Sequence, residues 1–128
     1  MMNMILYTKI QGNEDGKEGQ AFLCTGCGTF ITYSDAMVRI NGAENHSFLN
    51  PAGVRCNFTT FANCENVLVH DRLHTEHSWF PGYGWRFLLC SACSQHLGWK
   101  YDAVRPATRP RAFFGVLFDA VRVDPDQE

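Results

Sequence analysis

Two cysteine pairs carry the strongest chemical signal in this sequence. They are Cys24-Thr25-Gly26-Cys27, followed by Gly28, and Cys90-Ser91-Ala92-Cys93. Thiolates two residues apart can bind one ion, because a tight turn brings both sulfurs to the same side. Two such turns complete a tetrahedral four-cysteine site of the kind that holds structural zinc. Gly28 suits the positive φ that such knuckles need. A closed set of four thiolates has no open coordination position, so the expected cofactor is one structural Zn2+ without catalytic duty. Residues 28–89 separate the pairs, where a simple zinc ribbon has ~15–20 residues. A β module is therefore expected between the knuckles. Redox chemistry, or two unrelated cysteine pairs, is the competing reading.

Cys56 and Cys64 complete the six cysteines. Both are expected in the core, since a free cysteine packs as a small hydrophobe. A sharper reading uses Arg55-Cys56-Asn57: a neighbouring guanidinium could lower the thiol pKa and create a nucleophile. That would suit a thiol oxidoreductase of the methionine sulfoxide reductase type. In the zinc-containing enzymes of that type, the similar stretch follows the second cysteine pair, whereas here it precedes it. His96, close to Cys93, is a candidate hydrogen-bond donor to a ligating sulfur. His46, His70 and His74 are expected at the surface or in local hydrogen bonds, and Arg109 and Arg111 in solvent.

The other chemical signal is aromatic. All three tryptophans, Trp79, Trp85 and Trp99, fall in one short span, with Tyr101 two residues further on. Phe80-Pro81-Gly82-Tyr83-Gly84 reads as a turn that folds Trp85 back toward Trp79. On a strand, Trp99 and Tyr101 share a face. Such a set is either core or a cage with three indole walls. A cage would accept a flat neutral ring or a cation held over the ring faces. Glu76 is the one nearby acid that a methylammonium guest could use.

The elements that must position these residues read as mostly antiparallel β. Val54–Phe61, Glu65–His70, Trp85–Leu89 and Arg111–Phe118 are short and rich in β-branched or aromatic residues. Gly and Pro punctuate between them. No segment holds a 3.6-residue apolar period for three turns, though a short helical turn fits around Ser34–Arg39. The chain has 128 residues, 45% hydrophobic and 19% charged, which suits one domain with a real core. Net charge is −2, which argues against partners bound through phosphates. No apolar run reaches the ~18 residues of a membrane span. Met1–Ile10 lacks the basic start and long apolar centre of a targeting signal, so the expected location is cytoplasmic. Residues 11–20 have no apolar side chain, so 1–20 is expected to be a flexible arm. The domain is expected at 21–123 and a solvated tail at 124–128.

Taken together, the motifs resemble a known family. Glu76-His77-Ser78-Trp79-Phe80-Pro81-Gly82-Tyr83-Gly84-Trp85, Cys90-Ser91-Ala92-Cys93 and His96-Leu97-Gly98-Trp99-Lys100-Tyr101 look like the thalidomide-binding (CULT) domain of the cereblon family. Asn50-Pro51-Ala52-Gly53 and the Cys24/Cys27 pair fall in that family's order and spacing. The resemblance covers roughly Ala21–Leu117 and is greatest to the bacterial single-domain homologues. It implies a β-tent, two antiparallel sheets pinned by zinc on Cys24, Cys27, Cys90 and Cys93. It also implies a non-enzymatic ligand cage walled by Trp79, Trp85 and Trp99, with Tyr101 at its base and Asn50 and Pro51 on the rim. The implied ligands are cyclic imides: the glutarimide of thalidomide-type compounds, uracil-like rings such as that of uridine, and protein C-termini closed into imides. The His77 carbonyl would accept the imide N–H, while the Trp79 N–H and the His77 ring would donate to its carbonyls across the His77-Ser78-Trp79 segment. Val54 and Cys56 stand where vertebrate members carry Tyr and His. No nucleic acid, membrane or ubiquitin-ligase adaptor is expected as a partner.

Overall fold

The aromatic and β-branched runs form strands that are short and all paired antiparallel. The computed structural model describes residues 19–125 and the backbone of Met4–Tyr7. The strands are β1 (Met4–Tyr7), β2 (Ala21–Cys24), β3 (Phe30–Tyr33), β4 (Asn45–Leu49) and β5 (Arg55–Phe61). They continue with β6 (Val67–His70), β7 (Tyr83–Cys90), β8 (His96–Ala103), β9 (Ala112–Leu117) and β10 (Val121–Val123). Single turns of 3-10 helix occupy Ser34–Ala36 and Phe118–Ala120. The first is the helical turn expected near Ser34.

One sheet has the order β1-β6-β7-β8-β9-β5-β4, and a smaller one the order β10-β2-β3. β1 corrects part of the expected arm. Met4–Tyr7 pairs with β6 in the register Met4↔His70 to Tyr7↔Val67. Four residues are enough for an edge strand, whose partner supplies the backbone bonds. The remainder of the expected arm, residues 1–3 and 8–18, lies outside the described residues, as do 126–128 of the expected tail. Asp124, placed at the start of that tail, still donates its N–H to the Ala21 carbonyl at 2.9 Å.

The large sheet buries both faces. Phe114 and Val116 of β9 pack with Cys24 and Ile31 of the small sheet, in a core between the sheets. Phe113, one residue away on β9, packs with Phe58, Phe80 and Tyr101 in a second core on the other face. Alternation along a strand sends neighbours to opposite sides, so one aromatic pair serves two cores.

β8 breaks that alternation at one point. Leu88 of β7 pairs with Gly98, and Leu89 with His96, so Leu97 is an extra residue on β8. This bulge shifts the face on which the following residues lie. Leu97 enters the inter-sheet core, while Trp99 packs against the second one. Gly98 makes the crossing possible. Its φ is 151°, and a Cβ there would lie 1.9 Å from the Gly115 carbonyl oxygen of β9.

Candidate metal centre and ligand cavity

The four cysteines meet at the end of the inter-sheet core. Cys24 ends β2 and Cys90 ends β7. Each knuckle closes with the same backbone bond, Gly28 N–H to Cys24 O and Ser94 N–H to Cys90 O, both 2.8 Å. The closing residues sit in the left-handed region, Gly28 at φ 82° and Ser94 at φ 68°. All four sulfurs lie within 4.8 Å of one another. The nearest pairs run between knuckles, Cys24 Sγ to Cys93 Sγ at 3.6 Å and Cys27 Sγ to Cys90 Sγ at 3.7 Å. Tetrahedral zinc with Zn–S of ~2.3 Å requires S···S of ~3.8 Å, so the donor set fits this ion. The sulfurs differ before metal arrives. Burial pushes the Cys24 thiol up to about 12, while the Thr29 hydroxyl pulls Cys27 down to about 6. Gln95, which the sequence did not single out, ties the knuckles together. Its Nε2 donates to Thr25 Oγ1 at 3.0 Å and to the Ala120 carbonyl at 2.9 Å.

A cavity of about 360 Å3 opens over the second core. Asn50 and Pro51 at the β4–β5 hairpin tip, and Glu76, His77 and Trp79 of the loop before β7, form part of its lining. Trp85 and Phe87 of β7 and His96, Trp99 and Tyr101 of β8 form the remainder. Strand register explains the sheet side, since Trp85 pairs with Tyr101 and Phe87 with Trp99.

Trp79 and Trp85 are each held by an indole hydrogen bond and a stacked ring, and Trp99 by edge-on ring contacts. Trp79 stacks on Phe48 at 5.2 Å and on Phe58 at 5.7 Å, and donates Nε1–H to the Leu49 carbonyl at 3.3 Å. Trp99 stands edge-on to Trp79, 5.3 Å away at 88°. Trp85 donates Nε1–H to the Glu76 carbonyl at 2.8 Å. The His74 ring stacks on Trp85 at 4.3 Å, and its Nδ1 meets Glu76 Oε2 at 3.0 Å. The Glu76 backbone and the His74 ring hold the Glu76 carboxyl below the usual carboxylate range. Tyr101 is 2% exposed and stacks on Phe113 at 4.9 Å. No described residue hydrogen-bonds its hydroxyl.

The loop carrying His77 is strained and polar. His77 has φ 57° without being glycine, a conformation that costs ~1–3 kcal/mol and clusters at functional sites. Among the described residues, nothing hydrogen-bonds the His77 carbonyl or the Trp79 N–H. Ser78 is placed differently from its neighbours. It is not part of the lining, and its hydroxyl turns back to the Phe80 carbonyl at 3.1 Å and the Phe80 N–H at 3.3 Å. Asn50 Oδ1 accepts from the Ala52 and Val54 N–H groups, both at 2.9 Å, which shapes the hairpin tip.

Cys56 is buried, and burial raises its thiol pKa, the reverse of an activated nucleophile. Arg55, its neighbour on β5, donates instead to the Ser47 hydroxyl at 3.0 Å. Cys64 is also buried, as expected. His96 does not serve the metal centre. Its Nε2 donates to the Gly98 carbonyl at 2.9 Å, and the ring lies against Phe87 and Trp99.

Two antiparallel sheets joined at a four-cysteine centre define a zinc-stabilised β domain, and the centre holds one structural zinc. Residues 20–123 match the family described as "Yippee zinc-binding/DNA-binding /Mis18, centromere assembly", and the chain belongs to that family. It is 33% identical over 110 residues to Protein cereblon of Drosophila willistoni, covering 84% of this chain and 18% of that protein. It is 31% identical over 115 residues to the Drosophila virilis protein, covering 88% and 18%. The domain is therefore of the cereblon-like (CULT) type, and the chain spans about a fifth of the length of the curated relatives it matches. Among the described residues, no helix is long and apolar enough to cross a membrane.

Proposed function

We propose that this domain is a non-enzymatic module that binds cyclic imides in the aromatic cavity. One observation carries the reading: the His77 carbonyl and the Trp79 N–H have no protein partner among the described residues and belong to residues that line a cavity walled by three indoles. An imide edge presents acceptor, donor, acceptor. The Trp79 N–H, the His77 carbonyl and a His77 ring N–H offer the complementary order. The indoles cover the ring faces and exclude water, which strengthens each hydrogen bond. Asn50 and Pro51 form the rim and Tyr101 the base, while Ser78 shapes the loop without lining the cavity.

A glutarimide has about eight heavy atoms. At ~0.7–1 kcal/mol per atom, its binding comes to about −6 to −8 kcal/mol, or micromolar to tens of micromolar. Uracil-like rings and protein C-termini closed into imides share the same edge. A neutral ring is favoured over a methylammonium, because the Glu76 carboxylate is already engaged by His74 at 3.0 Å and the Thr75 N–H at 3.2 Å. The net charge of −2 gives no basis for a nucleic-acid partner. Six unpaired cysteines suit a reducing, cytoplasmic setting.

The test is titration of glutarimide and uracil against tryptophan fluorescence in zinc-loaded protein. Saturation near micromolar, lost on N-methylation of the imide and in Trp99→Ala, is the expected result. No response up to millimolar, or full affinity in Trp99→Ala, overturns the reading. Displacement of the imide by a quaternary ammonium would favour the cation alternative.

A further inference from the structure

We propose that β4 is a dimerisation edge, where a second copy of this chain pairs antiparallel about Ser47 and joins the two large sheets into one. The inference does not rest on the imide reading.

β4 ends the large sheet and, among the described residues, has one sheet neighbour, β5. The ladder between them fixes where the β4 backbone points. The Thr60 N–H donates to the Glu44 carbonyl at 2.8 Å, and the Asn50 N–H to the Val54 carbonyl at 2.9 Å. Hydrogen-bonded pairs recur at every second residue of an antiparallel ladder. The register from Asn45↔Thr59 to Leu49↔Arg55 runs between those bonds without a shift, so His46 and Phe48 bond to β5. Asn45, Ser47 and Leu49 therefore turn their N–H and C=O groups away from it. The Leu49 carbonyl bears this out, since it accepts the Trp79 Nε1–H. Among the described residues, nothing hydrogen-bonds the outward backbone groups of Asn45 or Ser47, and both residues are exposed.

Both edges of the small sheet are guarded. β3 is capped by the segment after β5: the Glu65 N–H donates to the Ile31 carbonyl at 2.7 Å, and Asn66 Nδ2 to the Phe30 carbonyl at 2.8 Å. β10 spans three residues with Arg122 at its middle. Short strands, charges, prolines and bulges are the usual protections of an open edge. β4, Asn45-His46-Ser47-Phe48-Leu49, contains no Lys, Arg, Asp, Glu or Pro, and its register has no bulge.

The strand is also self-complementary. A two-fold axis at Ser47 sets Ser47 opposite itself and Asn45 opposite the partner's Leu49. These are the residues whose backbone groups face outward, so each pair exchanges both N–H···O bonds. The Leu49 carbonyl has a second lone pair and can keep Trp79. On the other face, the same register sets His46 opposite the partner's Phe48. Within one copy these two rings already stack, 6.2 Å apart at 11°. Pairing continues that aromatic ladder across the axis. The shared strand is only ~17 Å long, so the dimer is weak and reversible rather than permanent.

The test is sedimentation equilibrium of the zinc-loaded full chain from about 10 μM to about 1 mM, the range of a weak dimer. A reversible dimer is expected, and Ser47→Pro should weaken it by about tenfold or more, because the two-fold axis repeats each lost bond. Within one copy the Ser47 N–H bonds to nothing, so proline removes the outward donor and leaves the β5 ladder in place. A native chain that stays monomeric to the top of that range overturns the proposal. So does a dimer equally strong in Ser47→Pro. Amide exchange in the native chain supplies a test that needs no variant. The Ser47 and Leu49 amides should slow as concentration rises, while those of His46 and Phe48, already bonded to β5, stay unchanged. Ser47 exchange that ignores concentration overturns the proposal.

Discussion

His74 shows how a residue outside the cavity sets one of its walls. Its ring lies flat on the outer face of Trp85, and its Nδ1 meets the carboxylate of Glu76, whose carbonyl holds the Trp85 indole. An aromatic pair of this kind is worth ~0.5–1.5 kcal/mol beyond its buried area. His74→Ala should therefore weaken imide binding by about three- to tenfold while zinc content stays unchanged. His74→Phe should restore most of the loss, and titration of both variants checks this. The sequence showed no reason to single out His74, because its partner is a cross-strand neighbour: each donates its backbone N–H to the other's carbonyl at 2.8 Å. The metal ligands were legible for the opposite reason, since Cys-x-x-Cys spacing is itself the geometry of the knuckle.

Among the elements, the β7–β8 pair carries most of the cavity's sheet side, and Gly98 governs its shape. A Cβ at Gly98 would overlap the Gly115 carbonyl oxygen at 1.9 Å, a backbone atom with no room to retreat. Gly98→Ala should cost at least ~2–3 kcal/mol, combining the clash with the unfavourable positive φ. It should also weaken ligand binding, because Trp99 follows directly. Denaturant midpoints read the first effect and fluorescence titration the second. Four of the strands were legible from aromatic and β-branched runs. β2 and β3 were not, because they flank a zinc knuckle and span only four residues each. Nor was the position of His96, because a bulge is a relation between two strands and leaves no local pattern in one.

For the molecule as a whole, zinc stands in for core that the small sheet lacks. The nearest sulfur contacts join residues 69 and 63 apart in sequence, so the ion links β2 of the small sheet to the large sheet. Removing it with a chelator should abolish cooperative unfolding and imide binding together. Circular dichroism melts and ligand titration on the metal-free chain check this, as zinc binding energy in such domains is folding energy. Acid should act in the same direction. The ligands are thiolates, and the buried Cys24 holds its proton up to about 12 without metal, so each step down in pH favours the protonated, metal-free state. Chelator competition should therefore release zinc more readily at pH 5 than at pH 8.

The pairing of β10 with β2 has a consequence for how this domain can be used. Val123 lies opposite Phe22, so the stretch from β2 to β10 begins and ends on adjacent strands. A unit whose two ends meet on neighbouring strands can be spliced into a surface loop of another protein with little stretching of the host backbone. The same layout suits carriage as a cassette within a longer polypeptide, and the matched cereblon proteins are about five to six times as long as the stretch they share with this chain.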